Sequence, residues 1–292
     1  MRFSISTAFL PTEQLVEIAK AADQLGYDSL AMPDHVVDLE TLRTPYPYTP
    51  DGARRWGFEA EWPDPWVLAG ALSTVTTTLR FFTSVYVPAA RNPFQVAKSV
   101  GTAAVLSGNR VALGVGIGWC EEEFELLEQS FRTRGRRTDE GLALVKELWK
   151  PGWTEFSGDF YAAPRLVMEP TPTAPIPIYV GGLSEVAFAR AARHDGWVGD
   201  MYRTDEAIGW AQRLAEVRRD QGVAGPGDDR FAVIVALTDA FLPEHFARAE
   251  EGGVTDCMTM PWMYYYGTDA TLAQKLAGME RFADEVIAPL AG

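Results

Sequence analysis

The sequence predicts an α/β protein, a (β/α)8 TIM barrel with loop insertions at its C-terminal face. Three observations lead there. An amphipathic stretch of helical period, a glycine, and a short β-branched or apolar run recur in that order along the chain. The expected strands are all separated by helical stretches, as parallel strands require. The chain has 292 residues, enough for such a barrel with length left over for loops. A doubly wound sheet is the structural alternative.

The first unit is TEQLVEIAKAADQLGYDSLAM. Leu15, Ile18, Ala19, Ala22 and Leu25 share one helical face, and Gly26 suits the helix C′ position ahead of a strand from Ser29 to Met32. The same rhythm returns in FQVAKSVGTAAVLSGNRVALGVG, SEVAFARAARHDGWVGDM and FARAEEGGVTDCMTM. The expected strands are Arg2 to Thr7, Ser29 to Met32, Arg80 to Val85, Val111 to Val115, Pro177 to Gly181, Gly196 to Asp200, Phe231 to Leu237 and Asp256 to Met260. Two insertions stand out, residues 38–64, rich in proline and aromatics, and residues 150–175. Both are expected after strand ends or long crossover helices, where barrel active sites form. No linker or low-complexity tract divides the chain, which reads as a single domain over residues 1–292.

The net charge of −14 disfavours nucleic acid, whose phosphates need a basic face, and disfavours an anionic membrane surface. No apolar run approaches the length of a membrane span, and the first residues hold no continuous apolar signal core. Cytoplasm is the expected location. Two cysteines, Cys120 and Cys257, make no disulfide framework, and three isolated histidines offer no metal-ligand spacing. No metal is expected.

RVALGVGIGWCEEEF, Arg110 to Phe124, looks like a dinucleotide fingerprint but fails as one. Counting from Gly114, the sixth position is Trp119; counting from Gly116, it is Glu121. Glu121, Glu122 and Glu123 fill the first helical turn, where a pyrophosphate would sit, and would repel it. A period of two offers another reading. Gly114, Gly116 and Gly118 fall on one side of an extended backbone and clear that side for something flat or bulky, or simply fit large neighbours inside a barrel.

Three further segments follow strand ends: MPDHVV, RFFTSVYVPAARNPFQVAK and IPIYVGGLSEVAFARAARHDGW. With GVGIGWCEEEFELL and RGRRTDEGLALVKELW, in this order, they resemble the luciferase-like monooxygenase superfamily of flavin and deazaflavin oxidoreductases. The spacing is closest to the branch that uses coenzyme F420. The resemblance runs from the first strand to at least Gly196; the C-terminal third matches mainly in its rhythm of helices and strands.

The resemblance implies an F420-dependent oxidoreductase that passes a hydride between the deazaflavin ring and a small, apolar or aromatic organic substrate. An FMN-dependent monooxygenase and a non-catalytic flavin-binding barrel are the alternatives. A homo-oligomer, a dimer, is expected. The family's bulge with a non-proline cis peptide, which supports the ring, maps onto Ser84-Val85, with Gly116, Gly118 and Trp119 beside it. Its acid and histidine near the ring's reactive edge map onto Asp34 and His35. A histidine can give or take a proton at neutral pH, and a neighbouring carboxylate can set its tautomer. Alone, the pair reads more readily as a strand-terminal Asp capping the next turn with a packed histidine; within the ordered set of segments the functional reading is favoured.

The phosphate of the cofactor is implied near Gly181, Gly182 and Ser184, where glycines and a helix N-cap expose backbone N–H groups; a plain capped turn is the alternative. Arg54, Arg55 and Arg91 are candidates for the phosphate or the acidic tail. Arg132, Arg134, Arg136 and Arg137 read as a solvated helix approach answering Asp139, Glu140 and the upstream glutamates. Sugar-phosphate-oxidising relatives carry a glutamate where this chain has Trp119, which points away from sugar phosphates and from glutamate-based acid chemistry. Glu121 to Glu123 are expected to point away from the site. Trp56 and Trp62 in the first insertion, and Trp262 and Tyr264 after the last strand, are candidate substrate contacts, or else rim packing.

Overall fold

A computed structural model describes residues 1–223 and 231–290. Among them, eight parallel strands close into a barrel in the order β1-β10-β9-β8-β7-β4-β3-β2. The strands are β1 (Arg2–Ser6), β2 (Ser29–Met32), β3 (Arg80–Thr83), β4 (Val111–Val115), β7 (Ile178–Gly181), β8 (Gly196–Tyr202), β9 (Ala232–Leu237) and β10 (Asp256–Thr259). All eight predicted strands are present, and their ends move by a residue or two. Two ends move by two residues: β8 runs on to Tyr202, and β3 is cut short. β3 stops at Thr83, where the Ser84-Val85 peptide is cis. The chain then re-pairs one step out: Tyr86 N donates to Gly114 O at 2.8 Å and Gly116 N to Tyr86 O at 2.8 Å. Pairing in two short stretches leaves a bulge at the mouth.

The helices follow from sequence in the expected way. α1 (Leu15–Gln24) buries Leu15, Ile18, Ala19 and Ala22, and the chain turns at Gly26 with φ +80° before β2. α2 (Pro65–Ser73) starts with Asp64 as N-cap and Pro65 in the first turn, and α3 (Pro93–Leu106) repeats the device with Asn92 and Pro93. α4 (Glu121–Leu126) and α5 (Arg134–Leu148) follow β4; α6 (Glu185–Ala191), α7 (Thr204–Asp220), α8 (Pro243–Glu251), α9 (Trp262–Tyr266) and α10 (Leu272–Phe282) complete the ring. None of these helices is long and apolar enough to cross a membrane.

Two apolar layers hold the barrel. The larger lies between strands and helices, and a smaller one fills the interior with Ala31, Phe82, Ala112, Val198, Ala232, Ile234 and Met258. Val85 packs on the mouth side of this interior layer. The two insertions part company. Residues 38–64 lie over the mouth, tied across it by Arg55, which pairs with Asp200 of β8 at 2.8 Å. Residues 150–175 do not form the mouth as expected. They fold into an antiparallel hairpin, β5 (Thr154–Ser157) with β6 (Ala162–Leu166), packed on the flank of α5. Glu140 of α5 accepts the amides of Asp159, Phe160 and Tyr161, which fixes the hairpin tip there.

Candidate active site

At the exit of β2, neighbouring side chains in an extended segment point to opposite sides. Asp34 turns inward and is buried. Arg91, after the β3 bulge, grips it with two hydrogen bonds, 2.7 and 2.8 Å, and the Val87 amide adds a third at 3.1 Å. The guanidinium also lies 4.2 Å from the Tyr86 ring centroid. Burial pushes the Asp34 carboxyl up, against the pull of Arg91 and Val87 N–H. Asp34 therefore ties β2 to the bulge after β3. The expectation that it orients His35 is not met, because its oxygens are taken by Arg91 and Val87.

His35 turns to the mouth, and a different carboxylate meets it. Glu123 Oε2 lies 3.2 Å from His35 Nδ1, while Glu123 Oε1 accepts the Val36 amide at 2.6 Å. Burial opposes the charge on Glu123, but His35 and the amides of Val36 and Val37 hold its carboxyl below the usual range. Glu122 reaches back in the same way to the amides of Arg43 and Thr44, which hold it down at about 2 against the opposing effect of burial. The expectation that this run of glutamates points away is thus corrected for Glu122 and Glu123. Both are buried at the start of α4, facing the insertion.

Around the imidazole stand Trp62, Trp56 and Trp119, with ring centroids at 5.0, 5.4 and 5.8 Å. Tyr46 and Phe9 extend the cluster, Tyr46 meeting Trp56 edge-on and Phe9 stacking on it. The indole N–H groups of Trp56 and Trp62 are buried with no hydrogen-bond partner. Buried donors left unpaired are uncommon and suit a site that takes an acceptor from elsewhere. His35 Nε2 has no protein partner among the described residues.

The glycines of β4 serve the bulge. A Cβ on Gly114 would run into the Thr83 carbonyl oxygen, and one on Gly116 would stand 2.6 Å from Val85 Cγ2. On the other side, a Cβ on Gly181 would stand 3.1 Å from Val85 Cγ1. Gly116 and Gly181 thus let Val85 sink between β4 and β7, leaving a low apolar shelf at the mouth. The inward side of β4 is filled by neighbouring β3 and is not left vacant as the period of two suggested. Gly118 belongs to a turn with φ +81°, facing Phe124 and Val87.

The end of β7 turns sharply at Gly182, φ +112°, whose carbonyl accepts the Trp197 indole N–H at 2.9 Å. Ser184 caps α6 by accepting the Ala187 amide at 3.2 Å, as expected of an N-cap. Its hydroxyl proton stays available to donate. Arg190 does not reach this turn. It pairs with Asp139 at 2.6 Å, while Glu185 is engaged by Arg213 at 2.8 Å.

The described geometry can be set beside known proteins. A family model described as luciferase-like monooxygenase matches residues 2–250. The chain belongs to that family. An uncharacterized protein of Mycobacterium tuberculosis is 39% identical over 292 residues, covering 99% of both chains. An F420-dependent glucose-6-phosphate dehydrogenase of Segniliparus rotundus is 33% identical over 198 residues, 66% of this chain and 53% of that protein. Among solved structures, an F420-dependent secondary alcohol dehydrogenase in complex with an F420-acetone adduct superposes with a TM-score of 0.76, at 16% identity, over 98% of each chain. At that identity the likeness shows the fold alone.

Within this luciferase-like frame, the other predicted residues take different places. Trp262 is core, packed against Gly278, and Tyr264 stacks on Phe282; neither joins the cluster around His35. Arg54, Arg55 and Arg91 are each spent on an internal carboxylate, Asp38, Asp200 and Asp34, so none is left as a free phosphate ligand. Arg134 and Arg137 are not a solvated face. Arg134 donates to Gly118 O at 3.0 Å, and buried Arg137 donates to Ala89 O and to the Tyr161 hydroxyl, because the start of α5 packs under the mouth loops. Asp139 and Glu140 serve Arg190 and the hairpin instead. Sequence reasoning missed Glu123 as the histidine's partner. The available signal was EEEF itself, where a buried Phe124 fixes which helix face turns inward.

Proposed function

We propose that this chain is an oxidoreductase dependent on coenzyme F420 that transfers a hydride between the deazaflavin ring and a small, apolar or aromatic organic substrate. The observation that carries the reading is His35, held at Nδ1 by Glu123, bare at Nε2, and walled by three tryptophans at the barrel mouth. The F420-dependent enzyme among its sequence relatives supports this cofactor. Val85, recessed between Gly116 and Gly181, fits one face of a flat ring, and the amides from Gly182 to Ser184 fit a phosphate. The bound cofactor supplies the hydride.

The protein's part is orientation and proton handling. His35 Nε2 exchanges a proton with the substrate. The tryptophans exclude water and stack on an apolar partner, and the unpaired N–H groups of Trp56 and Trp62 suit an oxygen acceptor on it. By the resemblance, Trp119 stands where sugar-phosphate-oxidising members carry a glutamate, which favours a substrate other than a sugar phosphate.

Fluorescence titration with F420 and with FMN tests the reading. Binding of F420 below about 0.1 mM, roughly 5.5 kcal/mol, with FMN weaker, supports it. Failure of both to bind overturns it. Tight FMN binding with oxygen uptake by the reduced protein replaces it with a monooxygenase.

A further inference from the structure

We infer that Glu123 is a positioning residue that fixes His35 as the Nδ1–H tautomer and so dedicates Nε2 to proton exchange with the substrate; the second half of this statement rests on the function proposed above. The two carboxylates at the start of α4 divide the work. Glu122 Oε1 gathers the amides of Arg43 and Thr44 and the Arg43 side chain, so it staples the insertion without touching the histidine. Glu123 splits its oxygens. Oε1 takes the amides of Val36 and Val37, and Oε2 is left for the ring at 3.2 Å.

An ionised carboxylate accepts hydrogen bonds and donates none. Glu123 is held in its ionised form by these contacts. A neutral His35 facing it must place its proton on Nδ1, and Nε2 is then the lone-pair nitrogen. The groups around the ring agree with this arrangement. Trp56 and Trp62 come from the insertion and Trp119 from the turn before α4, and none accepts a hydrogen bond from Nε2. Asp34, next in the chain, is committed to Arg91. A ring fixed by a partner on one nitrogen and free on the other is the arrangement that general acid–base catalysis requires.

The test uses imidazole 15N NMR on the whole protein without cofactor, at alkaline pH where the ring is neutral. The chain has three histidines, so loss of one signal in His35→Asn assigns the spectrum. The wild type is expected to show His35 with Nδ1–H and bare Nε2. Glu123→Gln keeps an acceptor for Val36 and offers an N–H to Nδ1, so the proton is expected to move to Nε2. Glu122→Gln, which loosens only the staple, is expected to leave the tautomer unchanged. A wild-type Nε2–H tautomer, an unchanged tautomer in Glu123→Gln, or an equal change in Glu122→Gln each overturns the inference. If the cofactor reading holds, Glu123→Gln also lowers kcat by about 100-fold or more with little change in KM, in line with the cost of a wrong tautomer in a histidine base. A tautomer shift without that fall leaves the positioning in place and removes its link to the proposed function.

Discussion

Asp34 sits beside His35 in the chain, and Glu123 stands 88 positions away, yet Glu123 holds the imidazole and Asp34 holds an arginine. Both carboxylates are buried at the same end of the barrel. Their difference is one of direction. Alternate residues of an extended segment face opposite sides, so the neighbour in sequence is sent into the wall while the histidine is sent to the mouth. A partner for the mouth-facing ring has to come from another element, and the start of α4 supplies it. Adjacency in sequence is thus a poor guide to pairing at a strand end.

Four changes would break or sharpen this contrast. The largest effect is expected from His35→Asn, which removes the proton-exchanging atom. Turnover should fall by about 100- to 10,000-fold while cofactor affinity by fluorescence titration stays within a few-fold. Asp34→Asn should do the opposite. Arg91 is left without its charge partner at a site where Arg91 is 17% exposed, so stability in guanidinium unfolding should fall by about 3 kcal/mol. Near-normal stability in Asp34→Asn would show that the wall pair does not anchor the bulge.

Gly116→Ala places a methyl 2.6 Å from Val85 Cγ2 and should cost about 1 to 3 kcal/mol, with weaker cofactor binding because the shelf is displaced. Unchanged binding would separate Val85 from the cofactor. The smallest change concerns acid. Glu122 titrates at about 2 in the folded protein against 4.5 ordinarily, so its contribution is fully present above about pH 4.5 and is lost as pH falls towards 2. Unfolding midpoints compared at pH 6 and pH 3 should therefore differ less in Glu122→Gln than in the wild type.

Much of the fold was legible. Alternating helical and strand periods, Gly26 after α1, and the proline starts of α2 and α3 depend on a few neighbouring residues and survive in any environment. Ser184 as an N-cap is equally local. His35 and the tryptophans Trp56, Trp62 and Trp119 were also named from sequence, and the structure brings them together. Trp262 and Tyr264 were not separable from them, because an aromatic just past a strand end can face the mouth or the helix layer. The Gly278 gap under Trp262 decides that, and it lies on another helix. The hairpin at 150–175 was misplaced for a similar reason. Its docking depends on Glu140 of α5, which no local pattern ties to residues 159–161.

The sequence by itself determined the alternation of strands and helices, the caps that start and stop them, and the supply of aromatic side chains to the mouth. These follow from propensities and periodicities within about one turn or one strand. The tertiary structure alone decided which carboxylate meets His35, which arginines are spent inside, and why the β4 glycines are needed. Most of those outcomes depend on the packing of β3 against β4 and of α4 and β8 against the first insertion, contacts between segments tens of residues apart whose geometry exists only once the barrel has closed.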